Sequence, residues 1–598
     1  MRMDFMGLAR ALARLALVLA LAGTASGVPA QQAPSSNEGG SAIAPARRAV
    51  QASRHMVAAA NPVAASAGRE ILRQGGSALD AAIAIQMVLT LVEPQSSGIG
   101  GGAFLVHYDA TSRRIVTYDG RETAPARMGP DWFMGEDGKP MPFARASVGG
   151  HAVGVPGVLR MLELAHREHG RLPWARNFGP AIALAHDGFQ VGPRLHRLVA
   201  STPQLREHDA TRAYFFDRDA NPVAAGARLV NDDLAETLRQ IANGGADAFY
   251  GGSIARDVVA AAESVGARPG LLSLADLAAY RAVRRDAVCG AYRTRQVCGM
   301  GPPSSGAIAI AQALGMLERF DLAALAPGSP EAVHLISEAT RLAFADRNRF
   351  VGDPDHVTVP VAGLLEPDYL AARARLIDPL RRLPQALPGE PRHARLDPFP
   401  PGLHDTAPEM PATSHVSVVD GSGNAVAMTT SIENAFGSRV FVRGFLLNNQ
   451  LTDFAFDPTD GQRVVANAVA GGKRPRSSMS PTIVTDAAGE LLLTLGSPGG
   501  ARIIPFVLQT LVAHLDWGLD IQQAISLARH ATTGGAIEIE RETSLAATVA
   551  EALRARGHMV AEVELVSGLQ GISVRRDGDV ARLSGGADPR REGDAVGD

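Results

Sequence analysis

Cysteine is almost absent from this chain. Two occur in 598 residues, Cys289 and Cys298, and no histidines cluster with them. A thiolate zinc site needs more ligands than that. No other metal-ligand cluster and no cofactor-binding loop is visible, so neither a metal nor a cofactor is expected. Aromatic residues make up only 5%, which leaves no base-stacking surface, and the 58 Lys and Arg form no basic block among the 61 Asp and Glu. Nucleic acid is therefore not an expected partner. Beyond the first thirty residues no apolar run is long enough to cross a bilayer.

Small and apolar residues are plentiful. Apolar residues are 46% of the chain, with abundant Ala and Gly, enough for a large core with close helix–sheet packing. Residues 1–30 read as an export signal. Arg2, Arg10 and Arg14 precede an apolar run at 15–22, and small residues lead to Val28-Pro29-Ala30. A periplasmic or secreted protein is expected. Residues 31 to about 50 are polar and small and read as unstructured. A helical pattern runs from Asn61-Pro62 to Arg73, and residues 78–87 are apolar nearly all round, as in a helix buried on most sides. Strand patterns follow at 103–108 and 114–119, then a helix-rich middle from about 155 to 380. The Pro-rich residues 382–412 read as an exposed linker. Cys289 and Cys298 fall on two strand patterns around a short turn, and an exported chain favours a disulfide over two free thiols.

Most chemistry gathers at Thr413-Ser414-His415-Val416-Ser417-Val418-Val419-Asp420. A cut between Ala412 and Thr413 would give Thr413 a free α-amine beside its own hydroxyl. Such an amine is one of few internal bases able to activate a threonine. The segment Asp420-Gly421-Ser422-Gly423-Asn424 signals a hairpin between two strand patterns. With Gly421-Ser422-Gly423 as the loop, Thr413 lies opposite Ser431; a one-residue shift would bring Thr430 there instead. Either way the facing residue carries a hydroxyl. His415 is read as structural, because the amine already supplies a base. Further on, a strand at 491–495 meets Gly496-Ser497-Pro498-Gly499-Gly500 and then a helix at 503–515. No Gly-Lys-Ser/Thr follows, which argues against a phosphate loop. An oxyanion hole from the Gly499 and Gly500 amides and an ordinary tight turn both remain open. The glycines at 98–102 follow a helix, not a strand, so they read as close backbone packing rather than a dinucleotide fingerprint.

Several short motifs occur together in one order: Gly98-Ile99-Gly100-Gly101-Gly102, Asp119-Gly120-Arg121-Glu122-Thr123-Ala124-Pro125, Val153-Gly154-Val155-Pro156-Gly157, Pro302-Pro303-Ser304-Ser305-Gly306, Thr413-Ser414-His415, Leu446-Leu447-Asn448-Asn449-Gln450, Ser477-Ser478-Met479-Ser480-Pro481 and Gly496-Ser497-Pro498-Gly499-Gly500. From about residue 45 onward the chain thereby resembles the γ-glutamyltransferases (γ-glutamyltranspeptidases) and their relatives the cephalosporin acylases. The resemblance implies an α+β N-terminal nucleophile (Ntn) hydrolase, a four-layer αββα sandwich. It implies a proenzyme that cuts itself before Thr413 into a large subunit, 31–412, and a small one, 413–598, sharing one core. It makes Thr413 the nucleophile, with its amine as general base and then acid, and gives Ser431 the place of a hydroxyl that is often a threonine. Gly499 and Gly500 become the oxyanion donors. Arg121 would take the substrate α-carboxylate in its guanidinium fork, helped by Ser477 and Ser478, while Gln450 and Asp453 would hold the α-ammonium. The implied donors are glutathione and other γ-glutamyl compounds, and the implied acceptors are water, amino acids and peptides.

Two departures open alternatives. Glu433 stands where the family commonly has an asparagine on the α-amino group; a carboxylate can still pair with an ammonium there, so Glu433 is counted among the substrate-binding residues. The segment 457–474 is short and lacks an aromatic lid, which leaves an acyl-enzyme open to water and to bulkier substrates. An acylase for glutaryl (cephalosporin) or other amides, of the same fold, is therefore a second reading. A non-catalytic binding protein retaining the fold is a third.

Overall fold

The computed structural model describes residues 47–598 apart from 266–267, 393–406, 408, 411, 462 and 579. The export signal expected at 1–30 and the middle of the linker expected at 382–412 lie outside the described residues.

Two seven-stranded sheets dominate. Their strands before the linker are β1 (Val50–Ala52), β2 (Met56–Ala59), β3 (Gly102–Asp109), β4 (Arg114–Gly120), β5 (Val283–Asp286), β6 (Val288–Tyr292) and β7 (Arg295–Gly299). After it come β8 (Ala412–Val419), β9 (Ala425–Glu433), β10 (Thr482–Asp486), β11 (Leu491–Gly496), β12 (Gln570–Asp577), β13 (Val580–Ala587) and β14 (Asp594–Gly597). One sheet has the order β1-β13-β12-β11-β10-β7-β6 and the other β14-β2-β8-β9-β3-β4-β5.

Side-chain alternation decides the layering. In β2, Val57 and Ala59 pack with helices, whereas Met56 and Ala58 face the other sheet. The helices on that outer face are α1 (Pro62–Arg73), capped by Asn61, and α2 (Ala78–Val92), opened by a Ser77–Asp80 capping box. Every residue of α2 is buried, as its all-round apolar composition demands. The opposite outer face carries α3 (Gly306–Leu317), α4 (Pro330–Phe350) and α5 (Ile503–Leu515) over Val484, Leu493 and Leu495. Between the sheets, Val106 and Ala427 meet Ile483, Ile572 and Leu583. The result is helix, sheet, sheet, helix: the four-layer αββα sandwich.

Strands from both sides of residue 412 alternate within one sheet. β8 pairs with β2, and β9 pairs with β3. Backbone ladders therefore bind the segments before and after Thr413 to each other. At the far edge of the other sheet, Cys289 and Cys298 sit opposite each other and are disulfide-bonded.

One expectation is corrected and another meets its boundary. Of residues 31 to about 50, read as unstructured, 31–46 lie outside the described residues and 47–49 carry no helix or strand; β1 opens at Val50, the boundary of that reading, and pairs with Leu583 to Gly585. Backbone pairing at a sheet edge needs no apolar run, so composition does not reveal it. The linker read as exposed ends buried: the Glu409 side chain is only 4% exposed.

Candidate active site

The site starts from a hairpin. Asp420 N donates to Asn424 O at 2.9 Å, and the Asp420 carboxylate accepts the Ser422 and Asn424 amides at 2.8 and 3.0 Å. That turn sets the register Ser414↔Thr430 and His415↔Thr429. A bulge follows, in which Ala412 pairs with Glu433. Thr413 Oγ1 lies 3.2 Å from Ser431 Oγ. It also donates to the carbonyl oxygen of Ala412 at 2.6 Å. Ser431 Oγ donates to that same oxygen at 2.8 Å and accepts Glu433 N at 2.9 Å. Both hydroxyl residues are buried. Behind them, Arg591 Nη1 donates to Thr413 O at 3.0 Å. Gly101 lets β3 start this close: a Cβ there would meet Ser431 O at 2.1 Å.

His415 turns inward between the sheets. Its Nδ1 is 2.8 Å from Thr429 Oγ1 and its Nε2 is 3.1 Å from Ser417 Oγ. Complete burial pushes its pKa down to about 3, so the ring is neutral.

Arg121 is wholly buried, and its Nη2 bonds Asp453 Oδ2 at 2.5 Å and Arg476 O at 2.8 Å. Its Nε donates to Pro475 O at 3.1 Å. Among the described residues Arg121 Nη1 has no hydrogen-bond partner, and it lies 3.7 Å from Glu122 Oε2. Gln450 Nε2 donates to Asp453 Oδ2 at 3.1 Å. Burial pushes the Asp453 carboxyl up, Arg121 pulls it back, and it settles at about 6. Burial takes the Glu122 carboxyl further, to about 8, against the same guanidinium. Glu433 is held well above the carboxylate range by burial and then by the charge of Asp453. Its carboxyl accepts from Asn449 Nδ2 and, at 3.2 Å, from Met410 N.

Ser477 and Ser478 diverge. Ser477 Oγ accepts the Met479 amide at 3.1 Å, and its carbonyl takes the Ser305 amide and hydroxyl, both at 2.8 Å. Ser478 Oγ accepts from Arg347 Nη2 at 2.7 Å and donates to Glu409. Gly499 and Gly500 lie between β11 and α5, at φ 142° and 57°. A Cβ on Gly500 would meet the carbonyls of Glu409 and Met410 at 2.6 Å each.

Three groups thus form: Thr413 with Ser431, Arg121 with Gln450 and Asp453, and Ser478 with Arg347, Arg476 and Glu409. Sequence reasoning missed the last three charged residues. Arg476 had one signal, its adjacency to Ser477-Ser478. Arg347, in the last turn of α4, and Glu409, in a polar stretch, had none. Among the described residues no helix is long and apolar enough to cross a membrane.

The model of the gamma-glutamyltranspeptidase family matches residues 64–598. The glutathione hydrolase proenzyme of Escherichia coli (strain K12) is 37% identical over 554 residues, 90% of this chain and 91% of that protein. The acylase ACY 1 proenzyme of Pseudomonas sp. (strain V22) is 37% identical over 552 residues, 91% of this chain and 93% of that protein. The crystal structure of cephalosporin acylase from Bacillus halodurans superposes with a TM-score of 0.80 at 27% identity, covering 93% of this chain and 98% of that one. With fold, motifs and nearly the whole length in agreement, this chain belongs to the gamma-glutamyltranspeptidase family.

Proposed function

We propose that the chain is an exported proenzyme that cuts itself before Thr413 and then works as a γ-glutamyltransferase and glutathione hydrolase. The contact that supports this most is Thr413 Oγ1 against the Ala412 carbonyl oxygen at 2.6 Å, with Ser431 Oγ on the same oxygen at 2.8 Å. In self-cleavage, Thr413 Oγ adds to the Ala412 carbonyl carbon, and the Ser431 hydroxyl stabilises the charge growing on oxygen. The carbon–nitrogen bond then breaks. The hydroxyl proton ends on the departing nitrogen, leaving an ester and a free amine. Water hydrolyses the ester, yielding the Ala412 carboxylate and restoring the Thr413 hydroxyl.

In turnover the neutral Thr413 amine accepts the hydroxyl proton as Oγ attacks the donor's γ-carbonyl, then passes it to the leaving amine. The Gly499 and Gly500 amides face the developing alkoxide. Arg121, Ser477 and Ser478 serve the donor's α-carboxylate, and Asp453, Gln450 and Glu433 its α-ammonium. Water, an amino acid or a peptide then takes the γ-glutamyl group from the ester. The N-terminal export pattern supports a periplasmic or secreted location.

Thr413→Ala should leave one uncut, inactive chain, and the smaller fragment of the wild type should begin Thr-Ser-His-Val. A split pair of bands from Thr413→Ala would refute the proposal.

Glu433 supports a second reading, a glutaryl or other amide acylase of the same chemistry. Burial pushes the Glu433 carboxyl well up, which weakens its pull on an ammonium, and glutaryl groups carry none. Rates on γ-glutamyl-anilide and glutaryl-anilide separate the two. A mature chain that is uncut and hydrolyses neither would favour a non-catalytic binding protein.

A further inference from the structure

The hairpin that carries Thr413 near one end turns at Gly421-Ser422-Gly423 at the other, about 23 Å away along seven extended residues. A cavity of about 380 Å³ opens beside that turn, a size that suits a small molecule. Val419 of β8 lines it from one sheet, and Leu491, Val574 and Leu583 from the other, so its floor is the end of the core between the sheets. No aromatic ring is among its walls. Side-chain alternation puts Ile572 and Val574 of β12 between the sheets, and the next residue on that face is Arg576. Its Nη2 reaches the turn, 3.4 Å from where a Cβ on Gly423 would stand. Arg54, in the bend between β1 and β2, lies against the same turn, its Nε 4.0 Å from a Cβ placed on Gly421.

Positive charge is in excess at this mouth. Among the described residues Arg54 has no ion pair, and the neighbouring Asp598 pairs with Arg73 and His55 instead. Arg576 Nε has Glu490 at 3.5 Å, but Arg113 Nη2 holds that carboxylate more closely. Asp420 also lines the cavity, yet it is 2% exposed and its carboxylate accepts the Ala78, Ser422 and Asn424 amides. Val580, 58% exposed, adds apolar surface at the rim.

We propose that the cavity binds a medium-chain aliphatic carboxylate, its tail on Leu491, Val574 and Leu583 and its head at Arg54 and Arg576. Branched aliphatic walls suit a flexible tail and offer a ring nothing to stack on. Two guanidiniums at the mouth favour an anionic head, which stays in contact with water there while the tail leaves it. Arg54 precedes Thr413 in the chain, and the other named walls follow it. A bound carboxylate therefore ties both sides of the expected cut together and raises their joint stability.

Calorimetry with octanoate, butanoate and 1-octanol tests this. Wild-type enzyme should bind octanoate at least about tenfold more tightly than butanoate, from the buried methylenes. It should bind octanoate about tenfold more tightly than 1-octanol, from the charge. Arg54→Gln/Arg576→Gln, at two exposed positions, should bring octanoate down to the level of 1-octanol and leave 1-octanol unchanged. Ala581→Trp, on the inward face shared with Leu583, puts a ring into the cavity and should abolish binding of both. Octanoate that does not bind, that binds no better than 1-octanol, or that ignores either variant overturns the proposal. Uncut Thr413→Ala should bind octanoate as wild type does; a loss there would place the ligand at the catalytic threonine and overturn it too.

Discussion

Ser431→Ala removes one hydroxyl from the most crowded hydrogen-bond junction of the site. Its Oγ donates to the Ala412 carbonyl at 2.8 Å, accepts Glu433 N at 2.9 Å and lies 3.2 Å from Thr413 Oγ1. The two losses fall on different observables. Without the donor, the oxyanion formed during self-cleavage loses a preorganised hydrogen bond, worth about 10²–10³ in rate, or about 2.7–4 kcal/mol. Without the acceptor, the Glu433 amide is left buried and unsatisfied, at about 1–3 kcal/mol of stability. Cell-free synthesis followed by a timed chase, with the uncut fraction read by mass spectrometry, measures the first; a thermal melt measures the second. Ser431→Thr keeps the hydroxyl and should cut far faster than Ser431→Ala. If Ser431→Ala melts earlier yet cuts within about threefold of wild type, the hydroxyl is only a packing and hydrogen-bonding element and the reasoning is wrong.

Gly500→Ala puts a Cβ 2.6 Å from the Glu409 and Met410 carbonyls at a φ of 57°. A left-handed L-residue alone costs about 1–2 kcal/mol, so self-cleavage followed on gels should slow about tenfold or more; an unchanged rate would mean that residues 409–410 do not lie there during the cut. Asp453→Asn should lower kcat/KM on γ-glutamyl-anilide about 100-fold and much less on glutaryl-anilide, whereas equal losses would remove Asp453 from ammonium binding. Glu122 gives a pH test with a definite sign. Its folded pKa is raised from 4.5 to about 8, so between those values the folded chain holds a proton that the unfolded chain has lost. Stability contributed by that proton is fully present below the lower value and is lost as pH rises through the upper one, by about 1.4 kcal/mol per unit at most. Urea unfolding in a Thr413→Ala background should therefore show Glu122→Gln gaining on its parent from pH 5 to pH 8, and a constant difference would refute the shift.

Much of this molecule follows from patterns that are local. The periodicity at 62–73 and the nearly all-apolar 78–87 announce α1 and α2, which Asn61 and Ser77 cap. The Gly421-Ser422-Gly423 signal announces the hairpin and a hydroxyl opposite Thr413, but it leaves Ser431 and Thr430 both open, and the folded register chooses Ser431. Residue types at Arg121, Asp453 and Gly499-Gly500 were legible through the family resemblance. What neighbours they have was not. Only the tertiary structure tied Arg121 to Asp453, and only it joined Arg347 of α4, Arg476 of the serine segment and Glu409 of the linker. A carboxylate in a polar, Pro-rich stretch reads as solvated because water is the default partner of a charge. It becomes buried only when the fold supplies counter-charges from residues remote along the chain, and no pattern within that stretch records them.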